Sequence, residues 1–419
     1  MKKVFYFTLL LLIIPSKLYA SNLELNSSKV IIYDPDTDYV LYEKDSDKIS
    51  SVASLTKIMT TIVAIENIKD IKENIVITND MLKNIPYDAS KAGLKVNDVV
   101  TYEDLLYASI LPSGADATTA LAINISGSVD SFVGKMNSKA KKLKMYDTNF
   151  SNVTGYETEN HYSTCNDLLK MLNYSLKNEL FKKIYKTKSY VLTNGLFVNS
   201  TINKYNENLK LDLSNIIGSK TGYTPKAGLC MSAIINLDGK ELILITLGAK
   251  RINNIPHNLM DTLSIINYYS SNYENKTIYK SEDILFSIPV DNSKIDKYDI
   301  KLKNSVVKYL DKNDKISYKY NGLLKLDSTN KVNEKIGSIK YYSENKLIHE
   351  EDIILDKKIE FSPIKYLLSN IYIVIIPLII IFCIILIMII SLYNKNNKLL
   401  FRSKQWRKSL DWKRKLKCF

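Results

Sequence analysis

The stretch "SVASLTKIMTTIVAIENI", Ser51 to Ile68, decides how the rest of the chain is read. Leu55, Ile58, Met59, Ile62 and Ile65 recur at helical spacing, with Val63 beside them, which predicts a largely buried helix. A serine stands at its front and a lysine three residues later. A lysine inside such a helix is costly unless it is paired or used. Either Lys57 reaches solvent at the helix end, or Ser54 and Lys57 form a working pair on one face.

Outward from this helix the chain is organised in blocks. Upstream, "KVIIYDPDTDYVLYEKD" (Lys29 to Asp45) predicts two strands around an acidic turn containing a proline. Residues 100–146 read mostly helical around the loop "PSGADA". Phe150 to Leu176 read as a loop leading into a helix capped by Ser163 or Thr164. Residues 188–247 alternate as strands do, with Asp238-Gly239 suited to a tight hairpin turn. "MDTLSIINYYSSNY" then closes as an apolar-faced helix. Strands at both ends with helices between them predict an α/β domain over residues 21–272 whose sheet draws on both ends. Residues 273–362 carry short strand-like runs and no helical period, predicting a separate small β-rich domain.

The two termini are of another kind. Residues 1–20 have the layout of a signal peptide: Lys2 and Lys3, an apolar run from Val4 to Ile14, then a cleavage site after Ala20. Residues 371–392 are uncharged and almost wholly apolar. At about 1.5 Å per residue they reach roughly 33 Å, the length of a transmembrane helix. Residues 393–419 hold ten Lys/Arg against Asp411 alone, which predicts a cytoplasmic tail with the preceding domains outside the cell. The formal charge of +14 comes mostly from these ends. The exported part is nearly neutral, so the basic total does not point to nucleic acid. Of four cysteines, only Cys165 and Cys230 would be exported, as a pair or as free thiols. No Cys/His metal spacing is present, and neither metal nor cofactor is expected.

Ser-x-x-Lys recurs elsewhere, at Ser138, Ser305, Ser328, Ser343 and Ser362, but only Ser54 opens a buried helix. Two further motifs lie downstream. Ser113 in "PSGADA" is a hydroxyl suited to relaying a proton, or an ordinary turn residue. Lys220-Thr221-Gly222 is the chain's sole Lys-Thr-Gly. Its cation and hydroxyl suit a carboxylate, and Gly222 allows close approach of the strand to a ligand. A serine nucleophile needs a base. A free lysine titrates near 10.4, and burial or a second cation such as Lys220 would favour the neutral amine Lys57 must be. His161, His257 and His349 stand in no nucleophile motif, and no Gly-x-Ser-x-Gly elbow occurs.

Ser54-Leu55-Thr56-Lys57, Ser113-Gly114-Ala115 and Lys220-Thr221-Gly222 come in the order and spacing of the penicillin-recognising serine acyl-transferases. The chain most resembles the D-alanyl-D-alanine carboxypeptidases, the low-molecular-mass penicillin-binding proteins. "VLYEKDSDKISSVASLTKIMT", "LLYASILPSGADATTALA" and "GSKTGYTPKAGLCMSA" carry the likeness, and "NEKIGSIKYYSENKLIHEEDI" carries it into the second domain. The resemblance implies a β-lactamase-like α/β fold with an antiparallel sheet and a helical subdomain. It implies Ser54 as nucleophile, Lys57 as base and Ser113 as proton relay. Lys220, Thr221 and Gly222 would bind substrate, and the Ser54 and Tyr223 amides would form the oxyanion hole. The substrate would be a peptidoglycan stem peptide ending in D-Ala-D-Ala, with β-lactams as covalent inhibitors. Two positions depart from the family pattern. Ala115 stands where asparagine is usual, and the usual arginine position falls near Asn258, with Lys250, Arg251 or His257 as substitutes. A wall-peptide-binding protein with little turnover and a β-lactamase are the alternative readings.

Overall fold

A computed structural model describes residues 23–415 apart from residue 254; residues 1–20, where the sequence leads one to expect a signal peptide, lie outside the described residues. The chain divides into two compact units, residues 1–274 and 275–419.

The first unit begins with an antiparallel pair, β1 (Lys29–Asp34) and β2 (Tyr39–Lys44), around the acidic turn. A 3-10 turn (Ala53–Leu55) leads into α1 (Thr56–Asn67), whose residues 56–64 are all buried. A small sheet of β3 (Asn74–Val76) and β4 (Val99–Thr101) encloses the short α2 (Asn79–Leu82). The helical layer continues with α3 (Tyr102–Ile110), α4 (Ala115–Ser126) and α5 (Val129–Lys142), then α6 (Cys165–Ser175) and α7 (Glu179–Lys186). Thr164 is the N-cap of α6, accepting from the Asp167 amide at 3.1 Å. Ser163 instead bonds Thr148.

A minor hairpin, β5 (Ser189–Val191) and β6 (Phe197–Asn199), precedes α8 (Thr201–Leu209). This helix interrupts a segment whose alternation predicts strand throughout. Ile202, Tyr205 and Leu209 lie three and four apart, and the helical period prevails there. The long strands follow: β7 (Ile216–Thr224), β8 (Gly228–Leu237) and β9 (Lys240–Ala249), then α9 (His257–Asn272). Asp238 (φ 51°) and Gly239 (φ 86°) make the β8–β9 turn with both residues left-handed, the geometry a two-residue hairpin needs.

The main sheet is antiparallel, in the order β2-β1-β9-β8-β7. The first two strands of the unit thus join the last three. Helix α1 lies in the buried core that the helical layer shares with this sheet. Cys165 and Cys230 are buried free thiols.

The second unit is β-rich. Strand β10 (Tyr273–Tyr279) pairs with β13 (Val306–Asp311), and β11 (Phe286–Pro289) with β12 (Lys297–Ile300). The remaining three, β14 (Ile316–Gly322), β15 (Lys335–Ser343) and β16 (Lys346–Ile354), form a meander. A short α10 (Pro363–Ser369) precedes α11 (Tyr372–Lys415). Helix α11 continues unbroken through Pro377 and past residue 392 into the basic segment. The segment beyond is rich in Lys, Leu and Arg, which favour helix. Among the described residues this is the one helix long and apolar enough to cross a membrane.

Candidate active site

The site forms where the front of α1, the end of β7 and the loop 149–163 meet. Ser54 lies in the middle of the 3-10 turn and is partly exposed. Lys57, one turn on, is 2% exposed. Its Nζ lies 2.8 Å from Ser54 Oγ and donates to the Thr154 carbonyl at 2.6 Å. Burial pulls the Lys57 ammonium down from 10.5 to about 7, and the carboxylate of Asp116 opposes that shift in part. A neutral amine can take the Ser54 proton along the 2.8 Å contact while still donating to Thr154. Desolvation is the principal cause at Lys57. At Lys220 burial dominates too, and there the charge of Lys57 lowers the pKa further.

Backbone geometry around Ser54 is unusual. Ala53 has φ 46°, a left-handed conformation that costs an L-residue roughly 1–2 kcal/mol. Glycines pack against this turn from two sides. A Cβ on Gly155 (φ 79°) would lie 2.0 Å from the Ala53 carbonyl oxygen. One on Gly222 would lie 2.8 Å from the Ser54 nitrogen. Close approach at Gly222 is therefore to the backbone of Ser54.

A cleft of about 610 Å³ opens over these groups. Its lining brings together Ser54, Lys57 and Tyr223 from the predicted set, with Thr154, Glu157 and Arg251. Ser113, Lys220, Thr221 and Gly222 are not on that lining. Lys220 is 1% exposed, with Nζ donating to the Thr221 carbonyl at 2.8 Å, and Thr221 is buried. Ser113 is buried with φ 63°, and its hydroxyl has no hydrogen-bond partner.

The two departures from the family pattern have structural answers. Ala115 is fully buried at the start of α4. Its neighbour Asp116 cannot stand in for an asparagine, because its carboxylate accepts from the amides of Ala92, Gly93 and Leu94 at 2.8–3.1 Å. Asn258 is buried too and donates to the Cys230 carbonyl at 3.1 Å, away from the cleft lining. Arg251 takes the exposed cationic place: its guanidinium sits 4.8 Å over the Tyr223 ring.

Sequence reasoning missed the loop's contribution. Asn152 Oδ1 accepts from the amides of Thr154, Gly155 and Tyr156, folding the loop so that the Thr154 carbonyl meets Lys57. The Asn152/Gly155 pairing is the signal that was available, an Asx turn closed by a glycine.

Residues 16–251 match the peptidase S11 family, described as D-alanyl-D-alanine carboxypeptidase. Residues 273–360 match the C-terminal domain of penicillin-binding protein 5. The chain is 30% identical to the D-alanyl-D-alanine carboxypeptidase DacF of Bacillus subtilis, over 65% of this chain and 70% of that one. It is 36% identical to a D-alanyl-D-alanine carboxypeptidase of a Streptomyces strain, over 55% of this chain and 83% of the relative. Among solved structures, penicillin-binding protein 5 from Haemophilus influenzae superposes with a TM-score of 0.63 at 22% identity, covering 80% of this chain and 98% of its own, a likeness of fold. With a Ser-x-x-Lys pair in contact, a Lys-Thr-Gly strand beside it and a family match over more than half its length, the chain belongs to the D-alanyl-D-alanine carboxypeptidases of the peptidase S11 family.

Proposed function

We propose that this protein removes the terminal D-alanine from peptidoglycan stem peptides through an acyl-enzyme on Ser54. One observation carries the reading: a lysine held near neutrality by burial, 2.8 Å from a serine hydroxyl at the mouth of a cleft. Lys57 accepts the Ser54 proton as Oγ attacks the carbonyl between the two D-alanines. The Ser54 and Tyr223 amides receive the developing oxyanion, and the position of Gly222 against the Ser54 nitrogen supports that pairing. For the proton relay to the departing D-alanine nitrogen, Ser113 has an unpartnered hydroxyl but lies buried off the cleft lining, so that role requires it to turn toward the cleft when substrate binds. Arg251 is the cation on the cleft wall for the terminal carboxylate, with Lys220 and Thr221 buried behind the lining on β7 as its support. Water then frees the peptide from Ser54. A β-lactam enters as a mimic of the dipeptide and acylates the same oxygen.

For location, the apolar part of α11 anchors the chain, and the basic segment after it lies on the cytoplasmic side. The signal segment 1–20 would export the catalytic unit, leaving it outside the membrane.

The test uses the full chain in detergent. Incubation with benzylpenicillin adds the mass of one penicillin to the wild-type chain and none to Ser54→Ala. A D-Ala-D-Ala stem peptide releases free D-alanine with the first and not the second. A folded wild-type protein that gains no mass refutes the assignment of Ser54.

A further inference from the structure

His161 is buried, 105 residues from Thr56 in sequence, and has no part in the chemistry above. Its ring is held at both ends. Nδ1 has two partners, the Ser151 amide at 3.1 Å and the Ser151 hydroxyl at 3.3 Å; the amide can only donate, so Nδ1 accepts and carries no proton. At the other end Nε2 lies 2.6 Å from Thr56 Oγ1, and that hydroxyl spends its single proton on the Ala53 carbonyl at 2.8 Å. Thr56 must therefore accept from His161, and Nε2 carries the proton. Two independent contacts impose the same neutral tautomer. A second proton on Nδ1 would face the Ser151 N–H head-on. Burial and the charge of Lys57 both disfavour the imidazolium as well, holding its pKa at about 4.

The chain of bonds ends on Ala53, the left-handed residue before the nucleophile. The Ala53 carbonyl and the Ser54 N–H belong to one planar peptide unit and point in opposite directions. Whatever fixes that oxygen aims that amide. The Gly155 backbone closes on the same oxygen, so it has little room to move.

We infer that His161 and Thr56 are positioning residues that aim the Ser54 amide at the oxyanion through the Ala53–Ser54 peptide. The inference rests on Ser54 being the nucleophile. His161 is not on the cleft lining; its role is to hold Thr56 as a donor to Ala53. Replacements separate this from packing. Glutamine places an amide N–H near the Nε2 position and can still donate to Thr56. Asparagine can accept from Ser151 but does not reach Thr56. Thr56→Ser keeps the hydroxyl, and Thr56→Val keeps the shape without it.

The experiment follows penicillin acylation of the full chain in detergent at pH 7.5, separating the noncovalent binding constant from the limiting acylation rate. Removing one oxyanion donor outright costs about 10²–10³ in rate; misaiming it should cost about ten- to a hundredfold. Thr56→Val and His161→Asn should each slow the limiting rate by that factor with noncovalent binding unchanged. The double variant should be no slower than the slower single one, because both cut the same chain. Thr56→Ser should stay close to wild type, and His161→Gln should exceed His161→Asn. A peptide boronic acid, which forms a tetrahedral adduct on serine, should lose affinity in proportion to the rate. Additive effects, equal rates for the glutamine and asparagine variants, or a Thr56→Val that keeps pace with wild type would overturn the inference. Should these variants fail to fold, ¹⁵N NMR of wild-type His161 decides: the Nε2–H tautomer from pH 6 to 8 upholds it, and the Nδ1–H tautomer refutes it. A folded wild-type chain that takes no penicillin overturns the Ser54 assignment and this inference together. One that acylates while its Thr56→Val variant is unaffected overturns this inference alone.

Discussion

The sharpest consequence of the site is its pH dependence. Lys57 falls from 10.5 to about 7 because it is buried. At pH 7 roughly half of the molecules then hold a neutral amine. An exposed lysine would be neutral about once in three thousand. Burial therefore enriches the competent base by about a thousandfold, equivalent to roughly 4 kcal/mol. The rate of acylation by benzylpenicillin, followed by stopped-flow fluorescence from pH 5 to 10, should rise about tenfold per pH unit below 6. It should bend near 7 and be flat above about 8. The sign follows from the base: the working form is the deprotonated one, so activity grows as pH climbs through the folded pKa. His161, at about 4, titrates below this window. A rate that goes on rising tenfold per unit to pH 9 or 10 would mean that Lys57 keeps an ordinary pKa, and the argument from burial would fail.

Four other outcomes are expected. Lys57→Met should abolish acylation yet raise the thermal midpoint at pH 7, because burying the lysine costs about 4 kcal/mol there, offset in part by the Thr154 carbonyl left without its donor. Since the folded pKa is depressed, that gain should shrink as the pH rises from 7 toward 10.5, which scanning calorimetry at several pH values would show. Asp116→Asn removes the charge that raises Lys57 and should move the acylation midpoint below 7. It should also destabilise the fold by about 1–3 kcal/mol in urea titration, because an amide nitrogen would face backbone N–H groups. Gly155→Ala should cost about 2–4 kcal/mol, combining a left-handed φ with a methyl group against the Ala53 carbonyl, and should slow acylation as well. Arg251→Leu should raise KM for a D-Ala-D-Ala peptide about ten- to a hundredfold, the loss of one charge-assisted contact, and steady-state D-alanine release would measure it.

Much of this site could be read from sequence because its first contact is local. Ser54 and Lys57 are three residues apart on a helix, and the apolar run around them announces burial. The two-ended sheet was legible for a similar reason, since strand alternation before α1 and after residue 216 is plain and the Asp238-Gly239 turn has its own signature. What was hidden is long-range. Thr154 reaches Lys57 across 97 residues, and His161 reaches Thr56 across 105. No local pattern specifies such pairs. The left-handed turn at Ala53 was equally invisible, because an alanine gives no hint of a positive φ; the hint lies in the glycines packed against it. Arg251 could be named only as one of three candidate cations until the cleft showed which one lines it.

The distribution of unfavourable features bears on whether this is an enzyme or a peptide-binding protein. A protein that only held an anionic peptide would gain from a charged, accessible lysine in its cleft. Here burial at Lys57 does the reverse and disfavours the charge that would attract the ligand. The neutral amine has a use only if a proton must be taken from Ser54. Ala53 in a left-handed conformation and Ser113 with an unpartnered buried hydroxyl are likewise costs without benefit to binding. Each could be relieved by one substitution, Ala53→Gly, Lys57→Met or Ser113→Ala. At Ala53 and Lys57 such costs flank one serine, which is characteristic of chemistry, where stability is given up for a geometry that only the transition state uses. All three substitutions should therefore slow acylation, including any that leave the fold more stable.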